Sequence, residues 1–209
     1  IIHEEGGTVD KDEGDAIIAF WNAPLTQSDH AVRCVRAALS CQAKLAEMRP
    51  SFRESLGKDL KMRIGINTGY AVVGNMGSHS RFDYTMIGDA VNLASRLEGI
   101  NKQFGTYTMI SQTTKEEMAD AFPTREVSRV AVVGRKEPVV VYEPVFPEDM
   151  NEQKQKMLAI FSKALNLYYR GDFKQARSAF AGIAGDDPVA QIYVDKCTEL
   201  LAVPPGDWQ

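Results

Sequence analysis

The chain has 209 residues, 44% of them hydrophobic and 25% charged. That is enough for one large domain, or a medium domain with a small appendage, at roughly 150 residues per domain. Lys plus Arg number 24 against 28 Asp plus Glu, a net charge of −4, which argues against a nucleic-acid binder with its basic excess. No apolar run approaches the ~18 residues of a membrane span, and no secretory signal is visible. Three cysteines, Cys34, Cys41 and Cys197, give neither a disulfide framework nor a C-x-x-C metal spacing. They suit a reducing compartment, so a cytoplasmic location is expected.

Residues 1–9 read as a helix end followed by a turn at Gly6-Gly7, with a short strand opening at Thr8 to Asp10. The apolar run Asp15 to Trp21, between Gly14 and Asn22-Ala23-Pro24, predicts a buried strand. Ser28 or Asp29 then caps a long helix, with Val32, Val35, Ala38, Leu39, Leu45 and Met48 at helical spacing and Pro50 as its stop. Lys61 to Thr68 alternates, and Tyr70 to Gly74 follows Gly69 as a second apolar run, so the two read as a hairpin. Asn75 to Arg81 reads as a polar loop. After Gly88-Asp89, Val91, Leu93, Ala94, Leu97 and Ile100 mark a helix. A strand at Thr106 to Ile110, a helix at Thr113 to Ala121 and strands at Val127 to Val133 and Val139 to Val145 complete this region.

Beyond Pro144 to Asp149 everything reads as helical. Ile160, Ala164, Leu167, Ala176, Phe180 and Pro188 fall at the small and aromatic positions of the roughly 34-residue helical-hairpin repeat of the TPR type, with Gly171-Asp172 as the turn. One unit and one further helix, from about Val189 to Ala202, are visible. The alternative is an unrelated helical pair. A single unit cannot bury its faces alone, so it is expected to pack on the first region or on further repeats.

Taken singly, the polar candidates are ambiguous. Gly14-Asp15 reads equally as a turn, Lys11 as a solvated loop residue, and Asn92 and Arg96 as a surface pair one helical turn apart. His3, His30 and His79 lie in separate segments without ligand spacing, and no G-x-x-x-x-G-K phosphate loop is present. Taken together, the segments VDKDEGDAIIAFWNAP (residues 9–24), RIGINTGYAVVGNMGS (residues 63–78) and RFDYTMIGDAVNLASRLEGINK (residues 81–102) resemble the class III nucleotide cyclase catalytic domain. The resemblance runs to about Val145, and the helical stretch with its closing Asp207-Trp208 is similar to the tail of some bacterial members.

The resemblance implies an α+β fold: a ferredoxin-like core of mostly antiparallel sheet flanked by helices, followed by a small all-α helical hairpin. It places the catalytic domain at residues 1–147 and the TPR-like tail at 148–209. It implies conversion of ATP to 3′,5′-cyclic AMP and pyrophosphate, with attack of the ribose 3′-hydroxyl on the α-phosphorus at a homodimer interface. Asp15 matches one of two family carboxylates that hold two Mg2+ or Mn2+ ions, a sensible ligand for hard cations. Asn92 matches the residue that orients the ribose, and Arg96 the one that meets the phosphate in the transition state, where a permanent forked charge is suited. Lys11 and Thr85 match the two adenine-reading positions. An ammonium only donates, which fits the adenine N1 acceptor and not the guanine N1–H. Guanylate-forming relatives carry an acidic residue at the Lys11 position, and Thr at position 85 marks a subgroup within the family.

Three departures stand out. Asp12-Glu13 replaces an aromatic or apolar pair beside Asp15, and could raise the Asp15 pKa, shift the metal, or be solvated. Val133 stands where a basic residue is common, leaving Arg135 either on the triphosphate or as plain surface charge. No segment resembles the family's opening Phe-x-Asp-Ile strand, which carries the first metal carboxylate. The chain is therefore expected to be an N-terminally truncated piece of a cyclase, inactive or weak by itself. The competing readings are a non-catalytic cyclase-like module, favoured by these departures, and a guanylate cyclase, disfavoured by Lys11.

Overall fold

A computed structural model of the chain describes residues 1–78, 81–132, 137–206 and 208. Its strands are β1 (Thr8–Glu13), β2 (Ala16–Phe20), β3 (Ile64–Ile66), β4 (Val72–Ser78), β5 (Arg81–Ile87), β6 (Thr108–Ser111), β7 (Thr124–Val130) and β8 (Val139–Pro144). Its helices are α1 (His30–Leu56), α2 (Asp89–Phe104), α3 (Gln112–Met118), α4 (Glu152–Tyr169), α5 (Phe173–Ala181) and α6 (Pro188–Ala202). The result is the expected α+β fold.

The organising layer is a four-stranded sheet of order β3-β6-β8-β7, parallel between β3 and β6 and antiparallel elsewhere. Alternation along each strand splits the core into two layers. Ile66 and Ile110 pack with Ala31, Val35 and Leu39 of α1 and Met118 of α3. Met109, Val127 and Val141 pack with Leu93, Leu97 and Phe104 of α2 and with Phe161, Phe180 and Tyr193 of the C-terminal helices. One apolar core thus runs continuously from the sheet through α2 into the tail.

Polar contacts pin the same junction. Val127 is the extra residue where the β7–β8 register shifts, and its carbonyl accepts a 2.7 Å hydrogen bond from the buried Tyr193 hydroxyl. The Tyr169 hydroxyl donates to Glu126 at 2.9 Å. The Trp208 indole N–H donates to the carbonyls of Tyr168 and Tyr169, both at 3.1 Å. Its ring meets Phe173 edge-on, with centroids 4.8 Å apart. Asp207 lies outside the described residues.

Several expectations need correction. Pro50 lies inside α1, which runs on to Leu56 and ends at Gly57, whose φ of 65° suits a glycine C-cap. The start of the chain is a series of turns with no helix. β3 does not form a hairpin with β4: β3 joins the main sheet beside β6, and β4 pairs with β5 over Val72–Ile87 to Ser78–Arg81. The segment expected as a polar loop at Asn75 to Arg81 therefore supplies strand residues at both its ends. β2 is not a buried strand. It pairs only with β1, leaving Ile17 63% exposed and Phe20 as its one buried side chain.

Candidate active site

Helix α2 is fixed tightly to the sheet. A Cβ on Gly65 of β3 would lie 2.2 Å from the Ala94 carbonyl oxygen and 2.3 Å from the Glu98 nitrogen, so only glycine permits this approach. The Asn67 amide donates to the Ala90 carbonyl at 2.9 Å, and the Asn101 amide donates to the Ile64 carbonyl at 3.0 Å. Thr106 donates to the Asn101 side-chain oxygen at 2.8 Å. With Leu93 and Leu97 buried, Asn92 and Arg96 are presented together on the exposed side of a rigid helix.

Lys11 and Thr85 come from two hairpins. β1 and β2 pair from Thr8–Phe20 to Glu13–Ala16, with a register shift between Val9 and Lys11 that leaves Asp10 as a bulge residue. In the other hairpin Thr85 sits opposite Gly74. The two hairpins meet where the Thr85 hydroxyl donates to Asp10 Oδ2 at 2.7 Å and where the Phe20 and Tyr84 rings lie 5.9 Å apart. The sequence pairing of Lys11 with Thr85 therefore corresponds to adjacent strands, and the residue that links them, Asp10, was not anticipated. Its signal was available: a carboxylate between Val9 and Lys11, in a segment that otherwise reads as a plain strand.

Asp15 lies in the turn after Gly14, whose φ of 66° opens the β1–β2 connection. Asp15 is exposed, and its carboxylate offers oxygen donors of the kind Mg2+ takes. Among the described residues no group of three or more His, Cys, Asp or Glu gathers to hold an ion. Arg135 and Val133 lie outside the described residues. Ile17, Tyr70, Val72 and Ile87, on the two hairpins and the segment leading into β4, are each exposed.

The model of the adenylate and guanylate cyclase catalytic domain matches residues 4–143. The chain belongs to this family. Terminal-differentiation-specific adenylate cyclase of Dictyostelium discoideum is 35% identical over 210 aligned positions, covering 96% of this chain and 10% of that protein. The similarity thus includes the helical tail. Among solved structures, the adenylyl cyclase CyaB from P. aeruginosa superposes with a TM-score of 0.63 at 34% identity, covering 72% of this chain and 78% of that one. The guanylyl cyclase Cya2 superposes with a TM-score of 0.61 at 37% identity, covering 69% and 73%. The chain spans between 10% and 29% of the length of the first curated relatives it matches. An adenylyl and a guanylyl cyclase resemble this cyclase domain about equally, so the base it accepts has to be argued from its own side chains. No helix among the described residues is long and apolar enough to cross a membrane.

Proposed function

We propose that this chain is the catalytic domain of an adenylate cyclase, converting ATP to 3′,5′-cyclic AMP and pyrophosphate for signalling in a reducing, cytoplasmic compartment. The observation that carries the reading is the meeting of the Lys11 and Thr85 strands through the Asp10–Thr85 hydrogen bond. Lys11 would donate to adenine N1, and Thr85 would accept from the exocyclic amine. Asn92 would hold the ribose so that its 3′-oxygen lies in line with the α-phosphorus, and Arg96 would neutralise charge growing on the phosphoryl oxygens. The new bond joins O3′ to the α-phosphorus, pyrophosphate leaves with the electron pair of the broken bond, and the hydroxyl proton is released. Asp15 would contribute to holding Mg2+ or Mn2+, two ions per complete site, which supply charge neutralisation of the triphosphate.

The exposed Ile17, Tyr70, Val72 and Ile87 support a homodimer that closes over the site. The tail, a TPR-like hairpin with one closing helix, would act as part of the catalytic body. The non-catalytic alternative is favoured by Asp12-Glu13 beside Asp15 and by Val133, two departures from the pattern that the cyclase resemblance implies.

The test is product formation by the full-length protein with Mg2+ or Mn2+ and either ATP or GTP. Cyclic AMP is expected, with Arg96→Ala lowering kcat by about a hundredfold or more and Lys11→Glu reversing the preference between ATP and GTP. A folded, full-length dimer that binds nucleotide but makes no cyclic product would establish the non-catalytic reading, and a wild-type preference for GTP would overturn the Lys11 argument.

A further inference from the structure

We infer that Asp10 is a specificity-determining positioning residue, which makes the Thr85 hydroxyl an acceptor toward the base and so selects adenine. The inference rests on the base-reading role proposed for Lys11 and Thr85 and adds a residue to it.

A threonine hydroxyl has one hydrogen and two lone pairs, so by itself it reads nothing: it can donate or accept. Here its hydrogen is committed. Thr85 donates to Asp10 Oδ2 at 2.7 Å, and a carboxylate only accepts. What Thr85 has left for a base is lone pairs. Adenine offers an amine donor at its 6-position, whereas guanine offers a carbonyl acceptor there. A locked hydroxyl bonds the first and repels the second. A free hydroxyl would rotate and serve both.

Two further observations separate this role from simple packing. Asp10 is the extra residue of the β1 bulge, between Val9 and Lys11 in the register. A bulge breaks strict alternation and re-aims a side chain, so the chain departs from regular pairing at the residue that reaches Thr85. In addition, Asp10 Oδ1 is buried and has no hydrogen-bond partner among the described residues. A dry, unpaired carboxylate oxygen costs stability, and a partner chosen only to satisfy Thr85 would not need one.

The experiment measures kcat/KM for ATP and for GTP on the full-length protein, in wild type, Asp10→Ala, Thr85→Val and the double variant, with thermal unfolding as a check of folding. Asp10→Ala is expected to lower the ATP-over-GTP ratio about tenfold, the weight of one hydrogen bond made or opposed. In the Thr85→Val background it is expected to change the ratio no further. Asp10→Ser keeps a polar partner that can donate as well as accept, so it should show the same loss if Asp10→Ala does not fold. An unchanged ratio in a folded Asp10 variant, or an equal loss with and without the Thr85 hydroxyl, overturns the inference. Lys11→Glu run in parallel separates the two levels. If it shifts the ratio while Asp10 variants do not, only this inference fails. If neither shifts it, the base-reading assignment fails as well.

Discussion

The Arg125 guanidinium of β7 lies against the Asp187 carboxylate that precedes α6, and both side chains are buried, at 7% and 2% exposure. Glu143 of β8 completes the clasp at 2.6 Å, and the guanidinium sits 4.8 Å from the centre of the Phe161 ring. Burial alone would pull the Arg125 pKa down, but the two carboxylates outweigh it and the net direction is up. The pair ties the sheet to the tail, and removing Asp187 leaves the buried Arg125 with Glu143 alone and α6 without its N-terminal cap. Asp187→Ala is expected to cost about 3–5 kcal/mol in urea unfolding. Replacing all three charged residues, Arg125→Met with Asp187→Asn and Glu143→Gln, removes the buried charges while keeping a side-chain acceptor to cap α6, and should recover much of that loss. If the single and triple variants are equally unstable, the ion cluster is not the reason.

Gly65 should tolerate no side chain. Its missing Cβ is the space taken by the α2 backbone at Ala94 and Glu98. Gly65→Ala is expected to destabilise by about 1–3 kcal/mol through overpacking. Because the displaced helix carries Asn92 and Arg96, kcat should fall more than KM rises. A comparable change at Gly74, where an added Cβ meets open space, should leave stability nearly unaltered.

Tyr193 should matter through its hydroxyl as well as its ring. Tyr193→Phe keeps the stack on Phe180, with centroids 4.8 Å apart, but leaves the Val127 carbonyl of the β7 bulge without its partner. A loss of about 1–3 kcal/mol in unfolding free energy is expected.

The tail should be sensitive to alkali. Burial first, and then neighbouring ionisable groups, raise the pKa values of Tyr168, Tyr169 and Tyr193 above the ordinary 10.0. A group with a raised folded pKa stabilises fully below its unfolded value and loses that contribution as pH rises through the folded one. The urea midpoint should therefore hold up to about pH 10 and fall above it. Tyrosinate absorbance in the native protein should lag behind that of the unfolded chain. Tyr193→Phe should flatten the decline.

Local signals in the sequence were enough for α2, the tail helices and β6 to β8, because each carries its own apolar period or turn. They failed where pairing is non-local. Nothing within Ile64–Ile66 states that its neighbour is β6, more than forty residues further on, and not the apolar run directly after it. They failed again at Pro50, a proline that the helix accommodates before it ends at Gly57. At the candidate site, Lys11, Asp15, Thr85, Asn92 and Arg96 were ambiguous by residue type and were singled out only by the cyclase resemblance, whereas Asp10 became visible only once a bulge and a partner strand were in place.

The continuous core from α2 into α6 sets where this protein can be cut and rejoined. Phe104, at the end of the helix that carries Asn92 and Arg96, stacks against Tyr193 of the tail with centroids 6.2 Å apart, and Lys196 lies 4.8 Å from the centre of the same Phe104 ring. A chimera spliced at the sequence border near residue 147 would expose that ring and the underside of α2 to water. Grafts that transplant the cyclase body onto a different protein should carry the tail with it through Trp208, whose indole closes the last turn of the packing.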